Sequence, residues 1–202
     1  MTRIKLCGLT RARDIRAANE LRPDYVGFVF APGSRRFVSP QQAEKLNALL
    51  DPGIRAVGVF VDEAIQRVAA LLDRGVIGLA QLHGSEDGDY VRDLKARTGK
   101  PVIQAFRVAS AEDVERAKES PADFILLDSG AGTGRVFDWT LLETVGRPYF
   151  LAGGLGLHNV AQAVARLHPY AVDVSSGIET DGVKDPDKMA AFVAAVRKED
   201  GI

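Results

Sequence analysis

An α/β fold is predicted by eight short apolar segments, each followed by a segment with the spacing of an amphipathic helix. The apolar segments are almost continuously hydrophobic, which is typical of parallel strands that are covered on both faces. Eight strand–helix units in 202 residues fit a closed barrel, so we expect a single (βα)8 TIM-barrel domain over residues 1–202. An open doubly wound sheet is the alternative, but the glycine-rich fingerprint typical of such sheets is missing after the first strand.

The elements follow one another in a regular order along the chain. The strands are expected at 4–7, 25–30, 56–61, 78–83, 102–108, 124–129, 149–154 and 171–176. The helices are expected at 13–21, 39–50, 62–74, 85–98, 110–120, 137–145, 158–167 and 185–199. One helix, at 110–119 or at 138–145, is expected to be shortened.

Capping residues mark several helix starts. The candidate N-caps are Ser39, Ser85, Ser110 and Asp185. A proline follows both Ser39 and Asp185, at the first helical position where it is well tolerated. Asp113 stands three residues after Ser110, close to the pattern of a capping box.

Composition limits the classes of function. The chain is 46% hydrophobic with a formal net charge of -1, so no basic excess points to nucleic acid or to a membrane surface. No apolar stretch approaches the ~20 residues needed to span a bilayer, and the amino terminus lacks the apolar region of a secretory signal. The single cysteine excludes an intrachain disulfide, and no two histidines have a metal-ligand spacing. We therefore expect a cytoplasmic protein without a metal site, a nucleic-acid partner or a membrane partner.

Chemistry in a (βα)8 barrel sits at the carboxyl ends of the strands, and Cys7 ends the first one. Lys5 lies two residues earlier, on the same strand face, where its ammonium would favour the thiolate. Alternatively, Cys7 is a small buried hydrophobe and Lys5 reaches solvent at the opposite end of the barrel. Asp128 follows four apolar residues and is a candidate general acid or base, or else a turn aspartate.

Small residues end the last two strands, where these barrels commonly bind phosphate. The segments are "LAGGLGLHNV", with Gly153 and Gly154, and "DVSSGIE", with Ser176 and Gly177. Small residues let backbone N–H groups approach a phosphate, and a following helix start favours its charge. Together the two segments predict a phosphate site, although each alone is compatible with an ordinary turn.

Four further polar residues are candidates for substrate contacts. Arg36, in the loop after the second strand, is either a fork for a carboxylate or one of two solvated arginines. His83 and Gln81 share one face of the fourth strand, and His83 is alternatively a wall residue bonded to backbone. Asp173 lies inside the eighth strand and either faces the substrate or satisfies buried donors such as Lys5.

Seven segments in order, over nearly the whole chain, resemble the phosphoribosylanthranilate isomerase family of tryptophan biosynthesis. They are "IKLCGLT", "YVGFVFAPGSRRFVS", "VGVFVD", "QLHGSED", "FILLDSGAGTGRVFDW", "FLAGGLGLHNV" and "VDVSSGIETDGVKD". The resemblance implies an Amadori rearrangement of N-(5-phosphoribosyl)anthranilate to 1-(2-carboxyphenylamino)-1-deoxyribulose 5-phosphate, without a cofactor. One departure is Ala131, which stands where the family often has a second glycine.

The resemblance also implies roles for individual residues. The family's general base corresponds to Cys7, its general acid to Asp128, and its carboxylate-binding arginine to Arg36. The phosphate site corresponds to Gly153, Gly154, Ser176 and Gly177. One alternative is a related isomerase of histidine biosynthesis, or a dual-substrate enzyme serving both pathways, which carry aspartates at both catalytic positions. The other is a non-catalytic phosphometabolite-binding barrel. A monomer and a homodimer both remain open.

Overall fold

Eight parallel strands close into a barrel in the computed structural model, which describes residues 1–128 and 139–201. Each strand pairs with its neighbours in the chain, and the eighth pairs with the first. The strands are β1 (Arg3–Cys7), β2 (Tyr25–Val29), β3 (Arg55–Phe60), β4 (Leu79–Leu82), β5 (Val102–Arg107), β6 (Phe124–Asp128), β7 (Tyr149–Ala152) and β8 (Ala171–Val174). The closed barrel confirms the predicted fold class and rules out the open sheet.

Alternate residues of each strand fill the inside of the barrel, because side chains in a strand alternate between its two faces. One apolar layer there contains Tyr25, Val57, Leu79, Ile103, Leu126 and Phe150, all buried. A smaller cluster of Cys7, Val29 and Val59 lies nearer the carboxyl ends of β1, β2 and β3. The alternate apolar residues of the strands, such as Leu6, Phe28 and Leu127, face outward and belong to the largest apolar cluster. The strands are therefore buried on both faces, as their continuous hydrophobicity predicts.

Helices follow most strands in the predicted order. They are α1 (Ala12–Leu21), α2 (Pro40–Asn47), α3 (Ile65–Asp73), α4 (Gly88–Thr98), α5 (Ala111–Lys118), α6 (Val160–Leu167) and α7 (Pro186–Glu199). The predicted N-caps Ser39, Ser110 and Asp185 are confirmed, the second of them within a capping box. The Ser85 prediction is wrong because Asp87 accepts the bond from the first turn of α4. Ser85 instead donates its hydroxyl to Asp62, which holds two loops together.

Residues 139–148, the described part of the connection between β6 and β7, contain no α-helix. They hold only a 3₁₀ helix at Trp139–Leu142, so the 138–145 alternative is confirmed, while α5 forms a helix of 8 residues. The predicted glycine loop after Asp128, including Ala131, lies outside the described residues. No helix among residues 1–128 and 139–201 is long and apolar enough to cross a membrane.

A small hairpin that the sequence analysis missed lies between β8 and α7. Its strands β9 (Glu179–Thr180) and β10 (Val183–Lys184) pair antiparallel, and the turn residues Asp181 and Gly182 both have positive φ angles. An Asp-Gly pair between two short strands is the usual signal of such a turn. The hairpin brings Glu179 and Lys184 beside the end of β1, where they affect the site described next.

Candidate active site

A cavity of about 600 Å³ opens at the carboxyl ends of the barrel strands, a volume typical of small-molecule sites. Strands β1, β4, β6, β7 and β8 or the loops that follow them bring most of the predicted residues to its wall. The predicted residues that line it are Cys7, Gln81, His83, Asp128, Gly153, Gly154, Asp173 and Ser176. Arg36 and Gly177 do not line it; their positions are given below.

Cys7 lies at the end of β1 with 8% of its surface exposed. The residue opposite it on β2 is Gly27, where a Cβ atom would come within 2.6 Å of the Cys7 sulfur. The Ser175 hydroxyl donates to the Cys7 carbonyl oxygen at 3.2 Å, which ties the end of β8 to that of β1. Gly27 is thus the residue that leaves room for the thiol.

The charge environment of Cys7 is only partly as predicted. Burial raises the pKa of the thiol, and the Lys5 ammonium offsets this shift in part, while the Asp173 carboxylate adds to it. Lys5 therefore acts in the predicted direction, but the pKa of the thiol is nevertheless raised. The physical reason is that Cys7 sits deep enough in the barrel for desolvation to exceed the attraction of one ammonium.

Lys5 and Asp173 form an ion pair inside the barrel. The Lys5 ammonium donates to both carboxylate oxygens at 3.0 Å, and the two residues lie opposite each other on β1 and β8. Burial alone would lower the pKa of Lys5, but the Asp173 and Cys7 interactions exceed that effect and raise it. The prediction that Asp173 satisfies a buried donor is confirmed, and the alternative of a solvent-exposed Lys5 is wrong.

Asp128 faces an imidazole across the ends of β4 and β6. His83 Nε2 lies 3.6 Å from Asp128 Oδ2, and both side chains are partly exposed to the cavity. Gln81 Nε2 lies 3.1 Å from His83 Nδ1, while Gln81 Oε1 is buried without a hydrogen-bond partner among the described residues. An amide donating to Nδ1 leaves the His83 proton on Nε2, directed towards Asp128. The three residues thus form a polar row along one wall.

The two glycine-containing loops lie side by side. Gly153 and Gly154 have φ angles of 90° and 63°, a region that favours glycine. Gly156 and Gly177 form a parallel bridge between the loops, so Gly177 lies behind the cavity wall rather than on it. Asn159, the N-cap of α6, accepts from the Gly156 amide and donates to the Gly154 carbonyl. The Gly156–Gly177 bridge thereby joins the two loops at the rim, while Asn159 stabilises the first loop.

Arg36 lies just outside the cavity, packed over Gly8 and bound to the β9–β10 hairpin. Its Nε and Nη2 donate to the two Glu179 oxygens at 2.6 and 2.8 Å. Lys184 donates to Glu179 at 2.6 Å and to the Ser175 carbonyl at 2.9 Å. Burial would raise the pKa of Glu179, but these cations lower it to about 2. Arg36 is therefore held in place by a carboxylate of the chain itself.

Sequence reasoning overlooked several residues of this site. Arg107, the last residue of β5, lines the cavity, and its position at a strand end is the signal that would have found it. Glu179 and Lys184 are signalled only by the Asp-Gly turn between them. Gly27 has no signal of its own, because only the register of β1 against β2 places it at the thiol. Within the described ranges, no three His, Cys, Asp or Glu side chains form a group able to hold a metal ion.

A closed (βα)8 barrel with a cavity at the carboxyl ends of its strands is the architecture of the (βα)8-barrel enzymes. The model of the N-(5'-phosphoribosyl)anthranilate isomerase family matches residues 4–195. A relative of that name from Endomicrobium trichonymphae is 45% identical, over 98% of this chain and 99% of the relative. The chain therefore belongs to the N-(5'-phosphoribosyl)anthranilate isomerase family.

Solved structures of phosphoribosylanthranilate isomerases have the same fold. One, in complex with reduced 1-(o-carboxyphenylamino)-1-deoxyribulose 5-phosphate, is 36% identical with a TM-score of 0.87, over 98% of this chain and 100% of the other. Another describes monomers generated from the dimeric enzyme of Thermotoga maritima. It is 35% identical with a TM-score of 0.84, over 98% of this chain and 99% of the other.

Proposed function

We propose that this chain converts N-(5-phosphoribosyl)anthranilate into 1-(2-carboxyphenylamino)-1-deoxyribulose 5-phosphate by general acid–base catalysis without a cofactor. The observation that carries the proposal is the presence of Cys7 and Asp128 on the wall of one cavity, from strands β1 and β6. Membership of the isomerase family supports the same reaction. The reaction moves hydrogen within one molecule and needs no external oxidant or reductant.

The first step is opening of the ribose ring. Protonated Asp128 gives its proton to the furanose oxygen while the nitrogen lone pair of the anthranilate forms a double bond to C1′, so the ring C–O bond breaks. The product is an iminium ion beside an Asp128 carboxylate. His83, 3.6 Å away with its proton on Nε2, stabilises the carboxylate that forms. Gln81 supports this tautomer through Nδ1.

The second step is loss of the C2′ proton. The iminium acidifies this proton, and the Cys7 thiolate removes it to give a neutral enolamine, which then tautomerises to the ketone. A thiolate is a stronger base near neutral pH than a carboxylate with an ordinary pKa of about 4. At the end Asp128 has lost one proton and Cys7 has gained one, and exchange with solvent restores both.

The remaining residues are assigned to binding. The loops of Gly153, Gly154, Ser176 and Gly177 are proposed to bind the 5′-phosphate, because backbone N–H groups of small residues can approach it closely. Arg36, oriented by Glu179, is proposed to bind the anthranilate carboxylate at the cavity rim. Gln81, His83 and Asp173 line the cavity and are proposed to contact the ribose.

The proposal is tested by the loss of anthranilate fluorescence when the purified chain is added to phosphoribosylanthranilate without added metal or cofactor. We expect rapid loss with the wild type and little with Cys7→Ser, whose hydroxyl is a much weaker base, or with Asp128→Asn. Circular dichroism should show that both variants fold. Rapid loss with Cys7→Ser would refute its role as the base, and no loss with folded wild type would refute the activity. Gel filtration during the same preparation distinguishes a monomer from a homodimer.

A further inference from the structure

A buried ion pair lies directly beneath the proposed base. Lys5 is 0% exposed, and the side chain of its partner Asp173 is 8% exposed. Lys5 stands two residues before Cys7 on the same inward face of β1, so the pair occupies the layer of the barrel below the thiol. Replacing a buried ion pair by apolar residues is often neutral or stabilising. Stability alone therefore gives no reason for charges at this depth.

The ammonium of Lys5 interacts with two acidic groups. It has three N–H donors, two of which serve the carboxylate oxygens of Asp173 at 3.0 Å each. Lys5 also stands on the same inward strand face as Cys7, two residues earlier, and its positive charge lowers the pKa of the thiol. Because Asp173 itself repels a thiolate, the carboxylate and the thiolate compete for one ammonium. A change in one member of the trio must then alter the proton affinity of the others.

Other charged groups also surround Cys7 and must be weighed. The charged or titratable groups facing the thiol from neighbouring elements and across the cavity are Lys5, Asp173, Lys184, Arg36, Asp128, His83 and Arg107. Lys184 and Arg36 both donate to Glu179, so that carboxylate partly compensates their charges. Lys5 is the cation with the largest effect on the thiol.

We propose that Lys5 is a positioning residue for the reaction: its ammonium, shared between Asp173 and Cys7, stabilises the thiolate and determines how much of it is present near neutral pH. This inference rests on the proposed role of Cys7 as the base. Asp173 acts in the opposite direction: it holds the ammonium under the thiol, and its negative charge limits the stabilisation that the thiolate receives.

The proposed role of Lys5 predicts how the pKa of Cys7 differs among variants of Lys5 and Asp173. Asp173→Asn removes the competing anion, so the thiolate becomes the counter-ion of Lys5 and its pKa falls. Lys5→Met leaves an unpaired carboxylate below the thiol and raises the pKa. The double variant removes both charges, and because Lys5 acts more strongly than Asp173 its pKa lies above the wild type but below Lys5→Met. Shifts of about 1–3 units are expected for the single variants.

Alkylation by iodoacetamide as a function of pH measures these values directly, because Cys7 is the only cysteine of the chain. The same variants are then assayed for kcat/KM against pH, whose alkaline rise should move with the alkylation pKa. If Lys5→Met does not fold, Asp173→Asn and the double variant still give opposite shifts from the wild type. Lys184→Met is the matched control, since it removes another buried lysine near Cys7 and should shift the pKa less.

The outcomes separate this inference from the proposed function. Thiol pKa values that stay within about 0.3 units of the wild type, or that move in the same direction in Asp173→Asn and the double variant, overturn the inference. A larger shift in Lys184→Met than in the double variant overturns the assignment to Lys5. Wild-type turnover is a separate measurement: without it the isomerase proposal fails, even when the alkylation values follow the expected order.

Discussion

A methyl group at position 27 tests whether the place of the Cys7 thiol decides activity. In Gly27→Ala the new Cβ would lie 2.6 Å from the Cys7 sulfur, 3.1 Å from its Cα and 3.2 Å from its Cβ. Non-bonded heavy atoms normally meet at about 3.5–4.0 Å. The strands cannot separate easily, because the Gly27 carbonyl accepts from the amides of Gly8 and Leu9 at 2.9 and 3.1 Å. The thiol must therefore move.

The size of the effect follows from this overlap. Relieving it displaces the sulfur by about 1 Å, and a misplacement of that size costs on the order of 100-fold in rate. We expect kcat to fall by about that factor while KM changes little, because the phosphate and carboxylate subsites are untouched. Overpacking should also lower the free energy of unfolding by about 1–3 kcal/mol.

The fluorescence assay for phosphoribosylanthranilate gives kcat and KM, and urea unfolding gives stability. Gly53→Ala is the matched control: Gly53 lies in the loop between α2 and β3, and a Cβ there meets nothing within 4 Å. A Gly27→Ala enzyme with kcat within threefold of the wild type would refute the reasoning, as would an equal loss of kcat in Gly53→Ala.

Three further predictions concern other parts of the molecule. In Gly177→Ala the Cβ would overlap the Leu155 carbonyl oxygen and separate the two glycine loops. KM and the inhibition constant of inorganic phosphate should then both rise at least tenfold, which corresponds to one lost charge-assisted hydrogen bond of about 1.5 kcal/mol. An unchanged inhibition constant would place the phosphate elsewhere. Because Glu179 has a pKa lowered from 4.5 to about 2, it stabilises the folded chain above pH 4.5, and this contribution is lost as the pH falls towards 2. Urea unfolding should show a difference of about 3 kcal/mol between wild type and Glu179→Gln at pH 7 that shrinks towards zero near pH 2, whereas a difference independent of pH would contradict the ionic role. Arg147 donates three hydrogen bonds of 2.7–3.0 Å to backbone carbonyls near the amino end of the barrel. Arg147→Met should therefore lower Tm and leave kcat/KM at 25 °C unchanged. A fall in kcat/KM at 25 °C would show that this end of the barrel affects the site.

Much of the fold was predictable because each element carries a local signal. Continuous apolar runs predicted all eight strands to within two residues at each end, since a strand buried on both faces is apolar at most of its positions. Caps predicted the starts of α2, α5 and α7 for the same local reason. The Ser85 prediction failed because Asp87, two residues further on, is the N-cap of α4, while the Ser85 hydroxyl donates to Asp62 in another loop.

The part of the site that was predictable consists of residues at the carboxyl ends of the predicted strands. The sequence by itself determined that Cys7, Asp128, His83 and the two glycine segments would meet at one end of the barrel, because parallel strands present their carboxyl ends on the same side. It also indicated their chemistry, through the residue types and the resemblance to one isomerase family.

Only the tertiary structure decided the electrostatics around the base. Strand register placed Gly27 against the thiol and Asp173 against Lys5, and barrel closure between β1 and β8 brought together residues 168 positions apart in the chain. Burial then raised the pKa of Cys7, against the direction expected from the adjacent lysine alone. Desolvation depends on everything that surrounds a group, so the sequence neighbours of Cys7 do not determine its pKa.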